Sequence, residues 1–316
     1  MAITPEIAEH IRRQLARAVV GQHAVVDQLL VGLLTRGHLL LEGVPGIAKT
    51  LLIKALARVL RLDFRRIQCT PDLMPSDAIG TSTYNLATGT WAFRRGPIFT
   101  DLLLVDEINR TPPKTHAAFL EAMEERQVSA DGNSYALSPF FTLFATQNPI
   151  EFEGTYPLPE AQLDRFLMKV VMGYPSSEEE LTVLQRYHAG FDAHRLDAIG
   201  MEPVADRDVI EQARAEVQKV AVQEQVMRYI GAIAQRSRHW PALALGASPR
   251  AAVALLLAAK ALAAIRGRDF ATPDEVKDVT KPVLRHRLLL KSEAELEGLT
   301  PDHILDAILA GIEVPR

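Results

Sequence analysis

The segment Gly43-Val44-Pro45-Gly46-Ile47-Ala48-Lys49-Thr50 follows the apolar run Leu39-Leu40-Leu41, and a later apolar run, Leu102-Leu103-Leu104-Val105, ends in Asp106-Glu107. This pairing constrains the fold more than any other feature of the chain. A buried strand, a glycine-rich turn and a helix opening at Lys49-Thr50-Leu51 make a β-loop-α unit whose backbone N–H groups can approach phosphate oxygens. Lys49 adds a cation and the Thr50 hydroxyl can ligate Mg²⁺. A second strand ending in two acids puts Asp106 where it can hold the metal shell and Glu107 where it can orient or deprotonate an attacking water. Either half alone is ambiguous, because lysine and threonine after glycines occur in ordinary loops and strands often end in acids at solvent. Together, in this order, they predict nucleoside triphosphate hydrolysis on a parallel α/β sheet, with the ligand beyond the carboxyl ends of the strands. One residue stands out. Ala48 occupies a position usually held by glycine, and because a left-handed conformation is costly for a residue with a Cβ, a right-handed helical conformation is expected there.

The 316-residue length allows two domains, and 48% hydrophobic with 23% charged residues is ordinary globular composition. A net charge of −4 gives no general attraction to polyanions, so no nucleic-acid partner is expected without a local basic patch. Cys69 is the single cysteine, which excludes an internal disulfide, and neither it nor the nine histidines show metal-site spacing. The N-terminus reads as an amphipathic helix rather than a signal peptide. The apolar stretch from Ala251 to Ala264 is interrupted by Lys260 and is too short to span a membrane. A cytoplasmic location is therefore expected.

Strands read at Leu39 to Glu42, Arg65 to Cys69, Leu102 to Asp106, Phe140 to Thr146 and Phe166 to Met172, with helices between most of them. Two β-hairpins are expected, one inserted at about 79–99 and carrying Trp91 and Phe93, the other at about 127–137 around Asp131-Gly132-Asn133. Trp91 and Phe93 read as hairpin packing, with contact to a partner as the alternative. From Pro175 onward the pattern turns helical, and Ser248-Pro249, Thr272-Pro273 and Thr300-Pro301 each put a capping hydroxyl before a proline at the first helical position. The expected organisation is an α/β nucleotide-hydrolysing core at 1–175, a linker at 176–205 and an α-helical second domain at 206–316.

These residues resemble the AAA+ ATPases, and specifically the MoxR family. The likeness runs through Leu40 to Gly46 with Lys49-Thr50, then Asp106-Glu107-Ile108-Asn109-Arg110 and Glu121 to Val128. It continues in Ala145-Thr146-Gln147-Asn148-Pro149, Gly154 to Phe166 and Gly246-Ala247-Ser248-Pro249-Arg250. MoxR proteins commonly carry alanine where this chain has Ala48. The resemblance implies a five-stranded parallel sheet sandwiched by helices and followed by a smaller all-α lid. It also implies ATP and Mg²⁺ as cofactors, and adenine held against Val19, Val20 and Gly21. No Asn-Lys-x-Asp guanine-reading motif occurs.

By the same resemblance Asn148 is a polar sensor of the water or γ-phosphate, its other reading being a turn-former before Pro149. Arg165 is similar to the arginine finger that reaches a neighbouring subunit's nucleotide; its other reading is an ion pair with Asp164 or Glu160, and Arg110 and Arg126 are rivals for the role. Arg250 resembles the second sensor, clamping the triphosphate when the lid docks. The implied protein is a homo-oligomeric ring, hexameric by analogy, that remodels or matures client proteins or inserts metal cofactors beside a partner with a von Willebrand factor A domain. The alternatives are a nucleotide-gated scaffold with little turnover, or a motor subunit similar to magnesium chelatase or to nucleic-acid translocases.

Overall fold

The computed structural model describes residues 3–87, 89–148 and 155–315. Thr88 in the first hairpin turn, and Pro149 and Gly154 in the strings of the resemblance, lie outside the described residues. The first half runs α1 (Ile3–Ala18), α2 (His23–Leu34), β1 (His38–Glu42), α3 (Lys49–Val59), β2 (Phe64–Gln68), α4 (Pro75–Ile79), β3 (Gly80–Asn85), β4 (Thr90–Arg95) and β5 (Leu102–Asp106). It continues with α5 (Pro113–Glu125), β6 (Gln127–Ala130), β7 (Asn133–Ala136), β8 (Thr142–Gln147), α6 (Glu160–Leu163) and β9 (Phe166–Val171). Beyond it lie α7 (Ser177–His188), α8 (Arg207–Lys219), α9 (Glu224–Arg238), α10 (Pro249–Ile265), α11 (Pro273–Leu284), α12 (Ser292–Leu296) and α13 (Pro301–Ala310).

Five strands form one parallel sheet in the order β2-β5-β8-β1-β9. Their near-continuous apolar runs are what a sheet covered on both faces requires. Leu39, Leu41, Leu102, Leu104 and Phe144 face one core with α1 to α3 and the later helices, while Leu40, Leu103, Val105, Leu143 and Ala145 face a second core with α5. The register aligns Leu41 with Thr146 and Gln68 with Asp106, so the ends of the four strands β1, β2, β5 and β8 open at one edge. Strand β8 begins two residues later than its apolar run suggests, because Phe141 N–H closes a turn on Ser138 O at 2.9 Å. Both expected hairpins form, as β3–β4 and β6–β7.

The caps act as the sequence implies. Ser248, Thr272 and Thr300 each accept a backbone N–H from the first turn of the helix that follows, and each is followed by proline. Helix α10 is rich in alanine, so neighbouring helices approach it closely; it packs against α1, α2, α8, α9 and α11. Lid helices thereby share one core with the N-terminal helices. At the far end, Glu216 of α8 accepts the Ile3 and Thr4 N–H groups at 2.8 and 2.9 Å, capping α1.

Candidate functional site

The turn between β1 and α3 is shaped by two glycines. A Cβ on Gly43 would lie 2.7 Å from the Met172 carbonyl oxygen, and Gly46 adopts φ +86°. Ala48 corrects the expectation: its φ is 65° and ψ 24°, left-handed rather than right-handed. Reversing the chain between Gly46 and Lys49 takes a second positive φ just before the helix, and this geometry overrides a local cost of about 1–2 kcal/mol. Two compensations are visible. The Ala48 methyl packs against the larger core, and the Ala48 carbonyl accepts the Leu52 N–H at 2.9 Å, completing the first turn of α3.

Lys49 Nζ donates to the Gly43 carbonyl at 2.6 Å, which folds its ammonium back over the loop. The Thr50 hydroxyl lies 3.4 Å from Asp106 Oδ2. Glu107 also takes a left-handed conformation, φ 59° and ψ 53°, which turns the chain sharply after β5. Arg110 Nε lies 2.8 Å from Glu107 Oε2, and His116 Nε2 donates to the Ile108 carbonyl at 2.7 Å, tying this turn to α5. Burial holds His116 below the usual imidazole range. The Cys69 thiol behind the acids is pushed up to about 12, by burial first and then by the charges of Asp106 and Glu107.

Thr146 at the end of β8 is a residue that sequence reasoning did not single out. Its hydroxyl donates to Asp106 Oδ1 at 2.5 Å and accepts the Glu107 N–H at 2.8 Å, so one side chain fixes both acids. The signal in the sequence was a hydroxyl at the carboxyl end of an apolar strand; that this strand lies beside the acid-bearing one comes from the sheet order. Asn148, two residues on, is buried beside it.

Lys49, Thr50, Asp106, Glu107, Thr146 and Asn148 line one cleft of about 360 Å³ with Pro45, Gly46, Ala48 and Leu51. Against it lies an apolar pocket of about 540 Å³ that shares Pro45, Gly46, Ala48, Leu51 and Tyr187 and is also lined by Val19, Val20 and Ile47. Gly21, with φ 70°, sits beside Val20 in the turn before α2 but is not among the lining residues. Much of the pocket's other wall comes from Tyr174 and from α7, through Val183, Leu184 and Tyr187. Tyr174, Leu184 and Tyr187 are 74, 67 and 53% exposed, so this wall offers its apolar surface to the pocket rather than to a core. The sequence reading placed this stretch in a linker. Its apolar residues do not mark it as core, since no residue of α7 is buried.

The four arginines fall in three places. Arg110 pairs with Glu107 of its own chain but is not among the residues that line the cleft. Arg126 donates to the Arg36 carbonyl at 2.6 Å and to Phe141 O at 3.5 Å, at the amino ends of β1 and β8, opposite the acids. Arg165 and Arg250 line neither cavity; both pair with Glu124 at the end of α5, Arg165 Nε at 2.6 Å and Arg250 Nη2 at 3.2 Å. The hydrogen bond from Arg165, with Arg250 close by, holds the Glu124 carboxyl below the usual range.

Residues 38–168 match the model of the ATPase family associated with various cellular activities, AAA, and residues 235–308 match the AAA lid domain. The uncharacterized protein YeaC of Bacillus subtilis is 45% identical over 97% of this chain and 93% of its own length. The chaperone MoxR1 of Mycobacterium tuberculosis is 41% identical over 96% and 81%, and protein MoxR of Methylorubrum extorquens 31% identical over 98% and 96%. The chain belongs to the MoxR family of AAA+ ATPases. A crystal structure of a Cytophaga hutchinsonii protein assigned as an ATPase superposes with a TM-score of 0.90 at 39% identity, covering 99% of this chain and 96% of that one. This MoxR-family chain thus has the AAA+ fold, binds nucleotide and hydrolyses ATP. Among the described residues no helix is long and apolar enough to cross a membrane.

Proposed function

We propose that this AAA+ protein is a Mg²⁺-dependent ATPase that turns over as a ring, hexameric by family analogy, and couples hydrolysis to remodelling client proteins. The observation that carries the catalytic part is the convergence of Lys49, Thr50, Asp106, Glu107 and Asn148 on one cleft continuous with an apolar pocket. In this reading the backbone of Gly43, Val44, Pro45, Gly46, Ile47 and Ala48, with Lys49, cradles the phosphates. The base lies between Val19-Val20 and the α7 wall, its ribose near Tyr187. Glu107 orients the water and takes its proton, and Asn148 hydrogen-bonds that water or the γ-phosphate.

The donor set suits Mg²⁺. The Thr50 hydroxyl and Asp106 Oδ2 are hard oxygen donors 3.4 Å apart, and one carboxylate plus a hydroxyl is the protein share Mg²⁺ takes when phosphates and waters supply the rest. When bound, the metal would neutralise charge developing between the β- and γ-phosphates. Arg165, paired with Glu124 outside the cleft, is assigned to the nucleotide of a neighbouring subunit; Arg250, expected to clamp the triphosphate as the lid docks, is bound to the same Glu124 and is assigned with Arg165 to the neighbour's triphosphate. A trans arginine of this kind contributes about 10³–10⁵ in rate.

The client role rests on likeness to a family that includes a named chaperone, and extends to cofactor-inserting or maturation work beside a von Willebrand factor A protein in the cytoplasm. Turnover measured against protein concentration tests the ring: specific activity should fall on dilution, and Arg165→Ala should abolish it while leaving ATP binding intact. A specific activity unchanged on dilution would remove the shared site. Glu107→Gln should bind ATP without hydrolysing it and should retain clients that Lys49→Ala does not.

A further inference from the structure

Asp106 already has a cation. Arg66 on the edge strand β2 brings its Nη2 to 2.6 Å and its Nε to 3.1 Å from Asp106 Oδ2, the same oxygen that faces the Thr50 hydroxyl. The other carboxylate oxygen, Oδ1, takes the Thr146 hydroxyl. The placement follows from the sheet. In β2 side chains alternate between faces, so Arg66 and Gln68 share the face of Leu104 and Asp106, whereas Arg65 points to the opposite one. Gln68 Oε1 accepts a second bond from Arg66 Nη2 at 2.6 Å and steadies the guanidinium over the acid. Arg66 is 46% exposed at its side chain and Asp106 only 12%, so the acid is fixed in place and the arginine has room to leave.

We propose that Arg66 is a resident counter-ion of the metal subsite. It holds Asp106 Oδ2 when no divalent cation is bound and gives up that oxygen when one arrives. The proposal rests on the reading of Thr50 and Asp106 as the Mg²⁺ pair. A hydrated divalent cation approaching the same oxygen would meet the guanidinium at short range, and like charges that close repel in a partly buried site, so the two compete for Asp106 Oδ2. Arg66 therefore does two opposed things. Without metal it offsets the negative charge of Asp106 against the incoming triphosphate, and with metal it must be displaced. Both effects flatten the dependence of nucleotide affinity on Mg²⁺, and by linkage the dependence of Mg²⁺ affinity on nucleotide.

The test needs no turnover. The affinity of the full-length protein for a fluorescent, non-hydrolysable ATP analogue is measured in EDTA and in excess Mg²⁺, and the ratio of the two dissociation constants is compared among variants. Arg66→Gln should raise the ratio about fivefold or more, chiefly by weakening binding in EDTA, while Arg66→Lys keeps it near wild type. An unchanged or smaller ratio in Arg66→Gln would reduce the pair to a surface ion bridge and overturn the proposal. Asp106→Asn separates the two layers. It should drive the ratio toward one, and if it keeps the wild-type ratio the metal reading falls and takes the role of Arg66 with it.

Discussion

Thr146→Val removes one oxygen and keeps the shape of the side chain, and it should cost rate far more than it costs binding. The hydroxyl makes two bonds, to Asp106 Oδ1 at 2.5 Å and from Glu107 N–H at 2.8 Å. A hydrogen bond to a charged group contributes about 1.5–3 kcal/mol, and a part-buried N–H left without a partner costs about 1–3 kcal/mol. Glu107 is itself held at φ 59°, a conformation costing about 1–2 kcal/mol, so losing its anchor lets the turn relax away from the cleft. If about half of this loss reaches the transition state, kcat falls about 10- to 100-fold, or about 1.4–2.7 kcal/mol. Among the described residues the Thr146 hydroxyl bonds Asp106 and Glu107 and not the phosphate loop, so affinity for a non-hydrolysable analogue should change less than about threefold, under about 1 kcal/mol. Steady-state turnover and an equilibrium titration separate the two quantities, and Thr146→Ser should recover most of the rate. Wild-type turnover in the valine variant, or lost binding with kcat preserved, would refute the idea that this hydroxyl positions the acids.

His38 is fully buried, donates from Nε2 to Met123 O at 3.1 Å and accepts the Leu143 N–H on Nδ1, and burial with the nearby Arg126 charge lowers its pKa to about 4. Because the unfolded imidazole titrates near 6.5, this contribution is complete above that pH and is lost as pH falls toward 4, by about 2 kcal/mol at pH 5. Denaturant unfolding at neutral pH and at about pH 5 should show that loss, and His38→Gln should lack this share; equal pH slopes in the two proteins would rule it out. Ala48→Gly relieves about 1–2 kcal/mol of left-handed strain but adds about 0.4–1 kcal/mol of unfolded-chain entropy and loses a packed methyl. Its stability should lie between wild type and about 1 kcal/mol above it, and a loss greater than about 1 kcal/mol would mean the methyl matters more than the backbone. Tyr187→Ala should weaken ATP about fivefold, on the order of 1 kcal/mol, by opening the seam between the two cavities. An unchanged dissociation constant would take α7 out of the site.

What could be read from the chain divides along physical lines. The strands were legible because a parallel sheet buried on both faces demands short continuous apolar runs, and Leu102–Asp106 matches its expected span at both ends. Helix starts with Ser or Thr before proline were legible because their capping bonds are local. Ala48 was misjudged because local steric preference was the only term available, whereas its φ is set by the path from Gly46 to Lys49. The apolar wall of α7 escaped because its residues face a cavity rather than a core, so burial periodicity could not reveal them. Thr146 and Arg66 escaped because their roles come from strand order. Nothing in the linear chain says that β5 lies between β2 and β8, and that order is what sets both side chains against Asp106.

Arg165 and Arg250 are tied to each other by bonds between the start of β9 and the lid. Asp164 precedes Arg165 and accepts from Arg287 Nε at 2.7 Å, with the Ser248 hydroxyl at 3.2 Å, while His286 Nε2 donates to Phe166 O at 3.0 Å. Ser248 caps the helix that carries Arg250, and Arg287 also donates to Leu167 O and Phe166 O at the start of β9. The start of β9 and the lid are therefore bonded to each other on both sides of Arg165, and Glu124 completes the link by holding both arginines. A shift of the lid relative to the sheet cannot move one arginine without straining the other. In a ring, the lid would then set the position of both arginines on the next subunit's nucleotide, and the α7 wall beside the base pocket would sense occupancy of its own. In the proposed ring, hydrolysis in one subunit would then depend on the lid of another through side-chain bonds present within each chain.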